Sequence, residues 1–144
     1  MRIDDRQILE IGADLPPHKD SIFAAQDMIV APGLIDLHAH VNDGMGLFSL
    51  NPAEVGLRTG VTTLLDTGSA GALTYGTFHD YVIPQAAEDI FALLNISQLG
   101  VQGGRGPEPF FGELSDLRYI DVSAAVACIE AHRDRIVGQS SFVG

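Results

Sequence analysis

The 144-residue chain carries 46% apolar residues, one cysteine and a formal net charge of −11. That is enough chain for a domain with a hydrophobic core, while no run approaches the roughly 18 apolar residues of a membrane span. Dispersed carboxylates without a basic cluster argue against nucleic acid and anionic membrane as partners, and the lone Cys128 excludes an internal disulfide and suits a reducing cytoplasm.

The first residues, MRIDDRQILEIGADLPP, carry charge throughout and hold no apolar export segment. Short β segments are expected over residues 1–31. QILEIG closes at Gly12, DLPPHKD is a polar, Pro-rich turn, and MIVA leads into Pro32. Beyond Pro32 the pattern changes to alternating strand and helix. LIDLHAHV reads as a strand, and NPAEVGLRTG as a short helix with Asn51 as N-cap, Pro52 in the first turn, Glu54 at the capping-box position and Gly60 at the end. VTTLLDTG is a β-branched strand ending in a Gly-containing turn.

Residues 75–88 read as a helix with Phe78, Tyr81 and Val82 on one side, stopped or kinked at Pro84. IFALLNIS is an apolar run of strand length. A long loop containing GVQGGRGPEPFFGE follows, then a helix in DVSAAVACIEAHRDR with Val122, Val126 and Ile129 at helical spacing, and RIVG opens a fourth strand. Strand starts near residues 34, 61, 90 and 135 suit successive βαβ units of about 30 residues or more. Such alternation implies a parallel sheet, either an open doubly wound sheet or part of a (β/α) barrel.

Strand side chains two apart share a face, which would align Asp36, His38 and His40 and send Ile35, Leu37, Ala39 and Val41 to the other face. The apolar set is then expected against covering helices and the polar set toward a barrel interior. Two imidazoles near the C-terminal end of one strand can grip a metal ion, and barrel active sites lie at those ends. Asp36, one pleat deeper, is expected to orient the histidines instead of ligating.

The run APGLIDLHAHV resembles the first-strand signature of the amidohydrolase superfamily. The resemblance continues through EVGLRTGVTTLLDTGSAG, FALLNIS, LRYIDVSAAV and IEAHRDRIVG, and within the superfamily it looks most like dihydroorotase-like amidohydrolases and deacetylases. It implies an α/β fold: the first three to four βα units of a (β/α)8 TIM barrel over residues 32–144, preceded by part of a small β-sandwich over residues 1–31. It further implies one or two divalent metals, usually Zn2+, that activate water to cleave C–N bonds of small-molecule amides or cyclic amides. His38 and His40 map onto the first-strand metal ligands.

Other ligands of that family are absent from the matched positions. A carboxylated lysine is expected just after RIVG, where Ser140 stands, and histidines on the fifth and sixth strands and an aspartate on the eighth would lie past Gly144. His79 and His132 fall in helices and are read as surface or packing residues. About three and a half βα units are present, against the roughly 250 residues of a complete barrel. The chain alone is therefore expected to lack hydrolase activity, either as a truncated or frameshifted product or as a subunit completing its barrel with another polypeptide. Open edges near residues 34 and 135 would favour self-association, including a homo-oligomer.

Three further residues are candidates for substrate contact. Asp66, before TGSAG, could reach substrate from the active-site mouth or serve as a turn residue bonding nearby amides. Asn95, near the end of the third strand, is placed inside the barrel by strand phase. Arg105, in the loop GGRGPEP, could meet a substrate carboxylate or simply belong to a surface loop. Cys128 reads as a structural thiol. An unrelated open α/β binding domain ranks last.

Overall fold

The computed structural model describes residues 1–5, 7–17, 21–46, 48–102, 114 and 116–141. The chain divides into two units, Met1–Pro32 and Gly33–Gly144. In the first, strands β1 (Arg2–Asp4) and β2 (Gln7–Glu10) pair antiparallel as a hairpin. Asp5 has a positive φ of 51°, a conformation that aspartate tolerates better than most residues at a tight turn. MIVA, expected as strand, forms none. Ile29 in that segment is 96% exposed, so no neighbouring strand covers it.

The second unit is built on a four-stranded parallel sheet: β3 (Leu34–Ala39), β4 (Val61–Gly71), β5 (Asp89–Asn95) and β6 (Ile136–Ser140). The strands lie in sequence order, β3-β4-β5-β6, which leaves β3 and β6 as the edges. A doubly wound sheet reverses its order at a switch point; a barrel does not. Among the described residues, helical segments pack on one face only. Leu64, Ile90, Ala92, Leu94 and Ile136 form a core with Tyr75, Phe78, Val82, Ile83 and Ala125. This is a partial (β/α) barrel.

The helices are shorter and differently turned than their sequences suggest. Asn51 caps α1 (Pro52–Val55) by accepting from the Ala53 amide, and Gly60 closes the following 3-10 turn at φ 86°. The segment from Tyr75 is an α turn (α2, Tyr75–Thr77), a π turn over Phe78–Val82 and a 3-10 turn over Ile83–Gln85. Phe78 and Val82 are buried there, but Tyr81 faces solvent at 66% exposure, because the π turn shifts its angular position. Helix α3 (Val122–Ala131) starts on Asp121, whose side chain accepts from the Ala124 amide. Its packed stripe is Ala125, Cys128 and Ile129, while Val122 and Val126 remain exposed. The expected face was about one position off, since 125, 128 and 129 form a tighter i, i+3, i+4 set.

The other face of the sheet is open. Ile35, Leu37, Thr63, Leu65, Phe91 and Val137 line a shallow apolar recess of about 200 Å³, with Leu37 69% exposed. In barrels this is the interior face, filled by layered side chains from all strands. An uncovered apolar face with two open edges promotes association. Sedimentation velocity should therefore show self-association that Leu37→Lys with Val137→Lys shifts toward monomer; a wild-type chain sedimenting as a single sharp monomer would contradict this.

Candidate metal-ligand pair at the end of the first barrel strand

Strand β3 does not alternate uniformly. Its register against β4 slips between Asp36 and Ala39: Asp36 pairs with Leu64, but Ala39 pairs with Asp66, so three steps on β3 match two on β4. Such a bulge reverses the phase of everything after it. Ile35 and Leu37 line the open recess, whereas Ala39 and Val41 lie in the buried core. The expectation that these four residues share one face is thus corrected. A barrel interior is apolar at mid-strand and polar only at its mouth, and one uninterrupted alternation cannot supply both. The bulge also separates Asp36 from the histidine rings. Its carboxylate accepts from the His38 backbone amide at 2.9 Å, so it contacts the pair through the main chain.

Beyond the bulge His38 and His40 stand side by side, ring centres 5.8 Å apart and planes at 78°. His38 is exposed and His40 half-buried. His40 Nδ1 lies 2.9 Å from Ser69 Oγ. Ser69 is buried, and its main-chain amide donates to Asp66 Oδ1. With Ser69 Oγ against Nδ1, Nε2 is the ring nitrogen left to face a metal ion.

Asp66, 1% exposed, anchors this arrangement. One carboxylate oxygen accepts from the Val41 amide at 2.8 Å, the other from the Ser69 amide at 2.8 Å. Burial pushes its pKa above the ordinary value of 3.8, against the lowering effect of the hydrogen bonds from Ser69 and Val41 and of His40 nearby. Both oxygens are thus engaged by main chain from two strand ends. Asn95, also 1% exposed, donates to the Gly68 carbonyl at 3.1 Å and accepts from the Ser97 amide at 2.8 Å. Gly68 has φ 95°, and a Cβ there would press on Ser140 and Asn95, so glycine is needed twice over. Ser140 ends β6 beside this glycine of β4. Arg105 lies outside the described residues.

Sequence reasoning missed Ser69. It sat in TGSAG, which reads as a turn, and the available signal was only its distance of three residues from Asp66. Among the described residues no three His, Cys, Asp or Glu side chains gather around one point. His38 and His40 suit a divalent metal as donors, but they are a pair and not a full set.

A half-open (β/α) barrel with His-x-His at the mouth of its first strand has the architecture of a hydrolase barrel's opening segment. No family model matches the sequence. The chain is 35% identical over 136 residues to a deacetylase of Agrobacterium fabrum, covering 93% of this chain and 32% of that protein. It is 39% identical over 110 residues to a deacetylase of Brucella anthropi, covering 76% of this chain and 26% of the relative. Among solved structures, a dihydroorotase superposes with a TM-score of 0.67 at 38% identity, over 75% of this chain and 29% of its own. An adenine deaminase also superposes with a TM-score of 0.67, at 30% identity over 86% of this chain and 33% of its own. The chain belongs to the amidohydrolase superfamily, with deacetylases and a dihydroorotase among the proteins it resembles. It spans about a third of the length of the Agrobacterium deacetylase, 32%.

Asp66→Asn places an NH2 group against one of two amide donors. Urea unfolding should show a loss of about 1–3 kcal/mol, the cost of leaving a buried donor unmet; an unchanged midpoint and slope would contradict the anchoring role.

Proposed function

We propose that this chain supplies the first two metal ligands, His38 and His40, of a metal-dependent amidohydrolase acting on amide or cyclic amide C–N bonds of a small molecule. The observation that carries this reading is the pair of imidazoles side by side at the end of the first barrel strand, with Nδ1 of His40 engaged by Ser69 Oγ so that Nε2 is left to face a metal ion. The imidazole pair and the family resemblance favour Zn2+. When bound, such an ion supplies an acidified water and polarises the substrate carbonyl.

The chain's own residues do the positioning. The β3 bulge turns both rings to the interior face, Asp66 fixes the main chain on either side of the site, and Ser69 holds the His40 ring through Nδ1. Asn95 holds β4 at Gly68 and stands close enough to the strand ends to shape the substrate side of the site. Asp66, with both oxygens engaged, acts through the main chain and not as a substrate contact. Arg105 is a candidate for a substrate carboxylate. Residues 1–31 contribute part of a β-sandwich, and the protein works in a reducing cytoplasm.

Two imidazoles fall short of the three protein ligands of a catalytic zinc site. The exposed apolar face supports a reading in which further barrel strands, from the same or another polypeptide, complete the ligand set. The 144-residue chain by itself then shows no zinc-dependent amide hydrolysis at an enzyme-like rate. Zinc titration followed by calorimetry should show weak binding that His38→Ala with His40→Ala abolishes. Ser69→Ala should weaken it by about 10–100-fold, the usual cost of losing a partner that orients a ligand. Zinc retained by the double variant, or hydrolysis by the chain alone, would overturn the proposal.

A further inference from the structure

A second pair of histidines meets on the outer helical layer, on elements other than the strand that carries His38 and leads into His40. His79 lies in the π turn Phe78–Val82, and His132 is the C-cap of α3. Their ring centres are 4.5 Å apart with planes inclined at 52°. Tyr75 touches both, at 5.0 Å from His132 and 6.0 Å from His79. Its hydroxyl is buried and has no hydrogen-bond partner among the described residues. An orphaned buried hydroxyl, on the ring that packs against both imidazoles, is a polar group that ordinary packing does not explain.

The tautomer of His79 can be read directly. Its Nδ1 lies 2.8 Å from an Asp80 carboxylate oxygen, which accepts only, so Nδ1 holds the hydrogen and Nε2 presents a lone pair. A carboxylate bonded to the far nitrogen is the arrangement that orients and strengthens a metal-binding imidazole. His132 is fixed through its main chain: its amide donates to Ile129, and its carbonyl accepts from Arg135 and Ile136. No ring hydrogen bond occupies His132 among the described residues. Two imidazoles sharing one ion at about 2.0–2.1 Å, near tetrahedral geometry, have ring centres roughly 5 Å apart, close to the 4.5 Å separation of these two.

We propose that His79 and His132 form a two-histidine site for a divalent transition-metal ion of the copper, nickel and zinc group, with water completing the coordination. Imidazole pairs suit these ions, and the affinity order places Cu2+ first. No third His, Cys, Asp or Glu joins them among the described residues, so the site binds less tightly than a full structural centre. The bound ion ties the π turn to the end of α3, two elements otherwise joined by side-chain packing.

The chain has no tryptophan, so its emission comes from three tyrosines, and Tyr75 is the one against both histidine rings. Cu2+ titrated into the full chain should quench that emission saturably. His79→Gln and His132→Gln should each move the midpoint upward by about tenfold or more, the loss of one coordinate bond. His38→Ala with His40→Ala should leave the quenching in place, which separates this site from the proposed hydrolase site. Quenching unchanged in both glutamine variants, or lost in the double alanine variant, would overturn the proposal. Should either glutamine variant fold poorly, proton NMR of the unaltered chain decides. Substoichiometric Cu2+ should broaden the imidazole resonances of His79 and His132, and sharp resonances for both would overturn it.

Discussion

The end of the first barrel strand depends on one carboxylate. Asp66 leaves β4 buried and accepts from Val41 on one side and Ser69 on the other, so it joins two strand ends where the sheet ladder has already slipped. Bulged strands lose regular pairing, and the freed amides need other acceptors. Asp66 supplies one for Val41, and Asp36 supplies one for His38. The irregularity that turns the histidines inward is therefore satisfied by two side-chain oxygens close by.

That arrangement links packing to chemistry. Below the bulge, Ile35 and Leu37 contribute to the apolar filling of the interior face; above it, His38 and His40 occupy the mouth. Asp66 is held in an unfavourable burial that raises its pKa, and Ser69, whose amide donates to it, holds the His40 ring through its hydroxyl. A buried carboxylate is costly unless its hydrogen bonds are met, which explains why both Asp66 oxygens are turned to main-chain amides. The same logic applies to Asn95, whose amide group is spent on Gly68 and Ser97.

Much of this was legible in the sequence, and the exceptions have physical reasons. Strand positions came from apolar runs, and strand–helix alternation implied a parallel sheet but left open whether it was doubly wound or part of a barrel, which the strand order decides. Asn51 and Gly60 marked the ends of the first helical segment because caps are local. The bulge was invisible: LIDLHAHV alternates without a break, and nothing local signals a register slip imposed by the neighbouring strand. The stripe on α3 was displaced for a similar reason, since valines and small residues share the helix and only the opposing sheet decides which are covered. Tyr81 turned outward because a π turn leaves no trace in the apolar spacing. Ser69 was obscured by its surroundings, a glycine-rich turn in which any serine reads as a connector.

The central claim is that the β3 bulge and the Asp66–Ser69 pair aim His38 and His40 at one metal ion. The most direct test is a crystal grown with zinc and measured at the zinc absorption edge. An anomalous peak within coordination distance of Nε2 of both rings, with Ser69 Oγ still against Nδ1 of His40, is the result expected. Zinc bound elsewhere while these two rings carry no peak, or a β3 that alternates without the slip at Asp36–Ala39, would contradict it.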